Sequence, residues 1–126
     1  MKEVMAIIRM NKINQTKKAL IEAGISSMHA RDCLGRGKGL VDIHLLKGAE
    51  AGYEEAIAQL GNSQRLIPKR MISIVVPDSL TDKTVAAIIN VNRTGKSGDG
   101  KIFVMPVLDA VRLRTGEAGN DALDEA

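Results

Sequence analysis

The chain has 126 residues, 44% of them apolar and 26% charged, which points to one globular domain and excludes a disordered polypeptide. The net charge of +3 excludes a general polyanion binder but leaves room for a local basic cluster. The single cysteine, Cys33, excludes an internal disulfide and a cysteine metal site, and no apolar run approaches membrane-spanning length, so a cytoplasmic protein with no stable membrane insertion is expected.

The elements follow in chain order. Val4 to Ile8 is apolar throughout and reads as a buried strand. Asn11 is placed to cap the helix that follows, in which Ile13, Thr16, Leu20 and Ala23 share a face and Gly24 supplies the stop. Ser27 to Leu34 forms a second strand, and the glycine cluster Gly35 to Gly39 interrupts any regular element. Leu66 to Val76 carries the third strand, closed by Pro77. Ser79 reads as a helix cap with Asp82 behind it, and Leu80, Thr84, Ile88 and Val91 share that helix's face until Gly95 ends it. Ile102 to Val107 is the fourth strand, and the polar, acidic tail from Gly119 is expected to fray.

Strand, helix, strand, a long excursion, then strand, helix, strand is the order of an α+β, ferredoxin-like double β-α-β sandwich, spanning residues 1–126 as one domain. The excursion, residues 36–66, is too long for a passive connection. Within it, Tyr53, Ile57 and Leu60 fall at the spacing of a short amphipathic helix.

Chemistry is concentrated in TGKSGDGKIFV, Thr94 to Val104. Gly95 to Lys101 matches the first part of a P-loop, but Ile102 stands where Ser or Thr would hold magnesium, and a strand follows where a helix is required. GRGKGL lacks the last glycine of a dinucleotide fingerprint. Phosphate can be held another way. Gly98 and Gly100 can offer backbone N–H groups, and Lys101 adds a point charge. In a strand, Arg112 and Arg114 of RLRTGE would present two guanidinium forks on one face. The competing reading makes the glycines a hairpin turn and the arginines a solvated edge.

TGKSGDGKIFV followed by RLRTGE resembles the C-terminal signature of the PII nitrogen-regulatory signal proteins. MKEVMAIIRMNKI, AGISSM, KGAE and IVVPD resemble the same family, so the similarity runs along nearly the whole chain. The resemblance implies a homotrimer, alone or mixed with a PII paralogue, that binds ATP or ADP between subunits and 2-oxoglutarate beside the phosphates through a bridging Mg2+. By position it assigns the nucleotide to Ile7, Met28, His29, Gly35, Gly37, Lys38, Gly98, Asp99, Gly100 and Lys101, with Arg112 and Arg114 reaching in from a neighbour. It assigns 2-oxoglutarate to Gly37, Lys38, Gly39 and Lys69, and target docking to Glu50, Tyr53, Glu54 and Glu55 in residues 36–66, the family's T-loop.

Three departures stand out. Gly39 replaces the family's usual Gln, Ala51 occupies the place of its modifiable Tyr with Tyr53 shortly after, and the excursion is longer than usual between GAE and IPK. They resemble the longer-loop member of the nitrogenase-associated archaeal branch, which implies a regulator that holds the dinitrogenase component inactive. Glutamine synthetase or an ammonium transporter is the alternative target.

Other chemistries are weaker. His29 and His44 alone make a poor metal site, so no protein-held metal is expected. Cys33 reads as a small buried residue. Asp42, Glu50, Glu54 and Glu55 read as a solvated docking face ahead of catalytic carboxylates. Phe103 is the only aromatic in the strands, too few for stacking nucleic acid. No nucleophile pairs with a base, which leaves at most slow ATP hydrolysis.

Overall fold

A computed structural model describes residues 1–37 and 66–124. The strands are β1 (Lys2–Arg9), β2 (His29–Gly35), β3 (Ile67–Val76) and β4 (Lys101–Pro106), and the helices are α1 (Ile13–Glu22) and α2 (Thr81–Asn92). The strands form one antiparallel sheet in the order β2-β3-β1-β4. This is the α+β, ferredoxin-like arrangement that the order of elements predicts.

Alternation sets the layers. Val4, Ala6 and Ile8 of β1 and Ile72, Ile74 and Val76 of β3 form the core with Leu20 of α1 and Ile88 of α2. Thr16 and Thr84, on the predicted helix faces, are buried. Their hydroxyls donate to the carbonyls of Lys12 and Leu80, so burial leaves neither donor orphaned. Met5 and Ile7 point to the other face of the sheet and stay half-buried, with Met71, Val75 and Met105 beside them. The uninterrupted apolar run of β1 is therefore buried on one side only within a single chain.

The helix ends differ from the expectation at their starts and agree at the close of α1. Asn11 lies in a 3-10 turn, Met10–Lys12, and the residue that precedes α1 is Lys12, which caps with no side chain. Ser79 likewise sits in the 3-10 turn Asp78–Leu80, so α2 starts one residue later than a Ser79 cap would place it. In both places the chain turns sharply from strand to helix, and a 3-10 turn supplies the partners that a capping side chain would have supplied. At the other end of α1, Gly24 takes φ +85, donating to Ile21 O at 2.9 Å, while Ile25 donates to Leu20 O at 2.8 Å. These two bonds make a Schellman stop, with Ile25 buried beneath it.

Further corrections concern the C-terminal part. The strand that would set Arg112 and Arg114 on one face does not form: an isolated bridge, Val111↔Ala118, closes at once into a turn. Gly116, at φ +75, donates to Arg112 O at 2.7 Å, and Arg112 donates to Glu117 O at 2.8 Å. So tight a closure leaves no strand face for two guanidinium groups. The tail does not fray as far as Asp124. Gly119–Ala122 forms a 3-10 turn, and Arg112 reaches the carbonyls of Ala122 and Leu123, while Ser27 Oγ donates to the Asp124 carboxylate. Cys33 is half-buried, because β2 is an edge strand.

Gly35 and Ile67 are register partners, so the excursion leaves and re-enters the sheet side by side. The helix expected around Tyr53 lies outside the described residues, as do Lys38, Gly39, Asp42, His44, Glu50, Ala51, Glu54 and Glu55. No helix of the described residues is long and apolar enough to cross a membrane.

Candidate functional site

The loop from Arg93 to Gly100 joins α2 to β4, so its glycines do not make a β-hairpin turn. Gly100 has φ +107, and a Cβ there would stand 1.8 Å from the Ile7 carbonyl oxygen. Only glycine allows the loop to press its backbone onto β1 in this way. Gly98 has φ +96 and lies against two cations, since a Cβ would meet an Arg9 guanidinium nitrogen at 3.3 Å and Lys69 Nζ at 3.6 Å.

Asp99 closes this loop. Its Oδ1 accepts from Arg9 Nη1 at 2.7 Å and from the Thr94 hydroxyl, and its Oδ2 accepts from the backbone N–H groups of Thr94 and Gly95 at 2.8 and 3.0 Å. The Thr94 hydroxyl and N–H, followed by the Arg9 guanidinium, hold the carboxyl far below the ordinary range of an aspartate. The second Arg9 nitrogen, Nη2, donates to Ser97 O at 2.9 Å.

Beside the loop opens a cleft of about 520 Å³ lined by Arg9, Arg36, Gly37, Lys69, Ser97 and Gly98, among others. Three cations line it and no carboxylate does, among the described residues. Its electrostatics are set by register. Arg9 and Lys69 face each other as partners across β1 and β3. Like charges directly opposite destabilise a sheet. Here the repulsion is offset by Asp99 and by the carbonyls of Ser97 and Gly98, the latter accepting from Lys69 Nζ at 3.0 Å. Such an arrangement attracts a multiply charged anion with oxygens to spare. A second cavity, about 470 Å³, runs between α2 and β4, where Ile8, Ile88, Ile102 and Val104 give it an aliphatic wall and Asn92 and Lys101 a polar end.

The predicted residues fall into two groups. Ile7, Gly98, Asp99, Gly100 and Lys101 meet at the glycine loop, while Gly37 and Lys69 line the adjoining cleft and Gly35 ends β2 nearby. Lys101 is the register partner of Ile7 and is exposed. Met28 and His29 belong to the far end of β2. His29 pairs with Ser73, four residues from Lys69 along β3 and so roughly 13 Å from the cleft. Arg112 engages Glu117 at 3.1 Å in its own chain, and Arg114 is exposed on the turn. Within one chain these four do not reach the loop residues.

Sequence reasoning missed Arg9. It sits at the strand end, and its partner Asp99 lies ninety residues on, |i−j| = 90. Only the β1–β4 pairing, which draws Lys101 beside Ile7, brings the two together. The signal available was a basic residue closing the predicted first strand.

Comparison with known proteins bears on this geometry. Residues 1–117 match the family model described as nitrogen regulatory protein P-II. The chain is 49% identical over 123 residues to the nitrogen fixation nifHD region GlnB-like protein 2 of Methanobacterium ivanovii, covering 98% of this chain and 99% of that one. It is 46% identical to the protein of the same description from Methanothermobacter marburgensis, covering 98% of this chain and 100% of that one. It is 39% identical to the nitrogen regulatory protein P-II of Rhodobacter capsulatus, over 98% and 100% of the two chains. With the β-α-β, β-α-β sheet and the glycine loop in place, these matches establish that the chain belongs to the P-II family of nitrogen regulatory proteins.

Proposed function

We propose that this protein senses ATP or ADP together with 2-oxoglutarate and controls nitrogenase by docking residues 36–66 on the dinitrogenase component. The observation that carries the reading is the pair of opposed cations, Arg9 and Lys69, facing a cleft beside the glycine loop. Gly98 and Gly100 would offer backbone N–H groups to the phosphates, and Lys101 would add its charge. Lys69, with Gly37, Lys38 and Gly39, would receive 2-oxoglutarate. Gly35 and Ile7 would border the nucleotide. Mg2+ would serve by joining phosphate and 2-oxoglutarate oxygens. The cleft offers it no carboxylate among the described residues, since both Asp99 oxygens are already taken.

Assembly would complete the site. Met28, His29, Arg112 and Arg114 stand apart from the loop in one chain, so a neighbouring subunit would bring them to it. The apolar face of the sheet and the exposed Leu108 and Leu113 favour a homotrimer, alone or mixed with a paralogue. The nitrogen-fixation descriptions of the archaeal relatives favour nitrogenase as the target, with Glu50, Tyr53, Glu54 and Glu55 as the docking residues. In this reading the protein acts in the cytoplasm as a regulator, with no more than slow ATP hydrolysis of its own. An effector then works only through its different affinity for two states of the docking loop.

The test is a calorimetric titration of Mg-ATP into the protein, with and without 2-oxoglutarate. The expected result is ATP binding that 2-oxoglutarate tightens. Absence of ATP binding overturns the reading. ATP binding indifferent to 2-oxoglutarate reduces it to adenylate sensing. Capture assays against dinitrogenase, glutamine synthetase and an ammonium transporter then separate the targets.

A further inference from the structure

Asp99 has an unusual position for a residue beside a phosphate-type loop: it is a negative group where negative ligands would arrive. Its own contacts explain how it can stand there. A carboxylate offers about four acceptor directions, and four donors take them: Arg9 Nη1, the Thr94 hydroxyl, and the Thr94 and Gly95 N–H groups. No direction remains for a metal ion or a ligand hydroxyl. The Arg9 charge at 2.7 Å offsets the negative charge locally. Both side chains are largely covered, at 25% and 24% exposure, so this pair is less screened than a surface ion pair.

Arg9 is held at both prongs of its fork. Nη1 binds the Asp99 carboxylate and Nη2 binds Ser97 O, so the guanidinium spans the loop on either side of Gly98. A lysine could not bridge two acceptors in this plane. The next carbonyl of the loop, Gly98 O, accepts from Lys69. The glycine loop and the cations of the cleft therefore share one framework.

We propose that Asp99 is a positioning residue that acts through Arg9, setting the glycine loop and the cleft cations together before any ligand arrives, and that its carboxylate touches neither nucleotide nor metal. The proposal rests on the nucleotide reading above for its functional consequence, but its structural part stands on the hydrogen bonds within the loop.

Two measurements on the full chain test it. The first is titration of Mg-ATP into the wild type, Asp99→Asn, Arg9→Gln and the double variant. Loss of one charge-assisted bond predicts about tenfold weaker binding in each single variant. Because the two residues act as one unit, the double variant is expected to be no weaker than the poorer single one. Wild-type affinity in Asp99→Asn, or losses that multiply in the double variant, overturns the proposal. The second is amide hydrogen exchange without ligand. The Thr94 and Gly95 amides are expected to exchange about tenfold faster in Asp99→Asn, and faster also in Arg9→Gln. Unchanged exchange overturns the proposal.

If the wild type binds no ATP, the nucleotide reading falls and the exchange experiment alone decides for or against the positioning role. If Asp99→Asn fails to fold, Arg9→Lys takes its place, since it keeps the charge and loses the fork. Weaker ATP binding and faster loop exchange are then expected, and wild-type behaviour in both overturns the proposal.

Discussion

The glycine loop and the arm that follows β4 are both exposed connections with balanced charge, yet they are built in opposite ways. In the loop, residues 94–100, the Asp99 carboxylate, the Thr94 and Gly95 N–H groups and the Ser97 and Gly98 carbonyls meet partners within the chain. In the arm, Leu108 and Leu113 stand wholly in solvent, and Arg114 is exposed on the turn. The lesson is that, in the proposed site, one half would be set by folding and the other half would be left for association. A loop that satisfies itself can be formed before ligand binds and costs little ordering when it does. Exposed apolar side chains on a tight turn gain only when a partner covers them.

The largest expected effect strikes the finished half. Gly100→Ala forces a Cβ to within 1.8 Å of the Ile7 carbonyl, at a φ of +107 that alanine avoids. The loop must leave β1, with a loss of about 3 kcal/mol in thermal or denaturant unfolding and no remaining ATP binding. If this variant melts like the wild type, the loop is not the fixed half.

Next comes Lys101→Ala. The side chain is exposed, so stability should hold within about 0.5 kcal/mol. ATP affinity should fall beyond detection or by at least about tenfold, as a phosphate loses its charged partner. Unchanged affinity in the titration would remove Lys101 from the site.

The unfinished half gives a smaller and different response. Leu108→Ser with Leu113→Ser alters residues with no cover in the single chain. The fold should be unaffected, within about 0.5 kcal/mol, and self-association by sedimentation should weaken. If assembly is unchanged, the arm does not serve the interface.

The smallest effect is one of pH. Asp99 is depressed by the Thr94 hydroxyl and N–H and by Arg9. A depressed carboxylate stabilises the fold above its unfolded value of about 4 and loses that contribution as pH falls through its lower folded value. Loop amide protection should therefore be flat from neutral pH down to about 4 and decline only in stronger acid, and Asp99→Asn should abolish that acid decline.

The sheet was legible because apolar alternation and turn residues are local signals. Val4, Ile8, Ile72 and Ile74 announce a core by their neighbours alone. The helix starts were not, because Asn11 and Ser79 compete with 3-10 turns whose stability comes from the strand-to-helix geometry. Lys101 and the glycines of the candidate site were legible as a motif, but the partner of Asp99 was not. That partner is Arg9, and no periodicity links residues at opposite ends of a chain. For Arg112 the spacing left two readings open, a strand face or a solvated edge, and Gly116 turns the backbone before a strand can form.

The ladder pair Gly35↔Ile67 has a consequence for how this protein can change. The two feet of the excursion are bolted to adjacent strands, so the sheet registers where the excursion begins and ends but not what lies between. Closing a loop costs only about 0.6 kcal/mol more for each doubling of its length. Insertions there are nearly invisible to the fold. The excursion is thus a free dimension for divergence: its length can drift between lineages, altering what the chain can reach, while the cleft at its feet keeps the same shape.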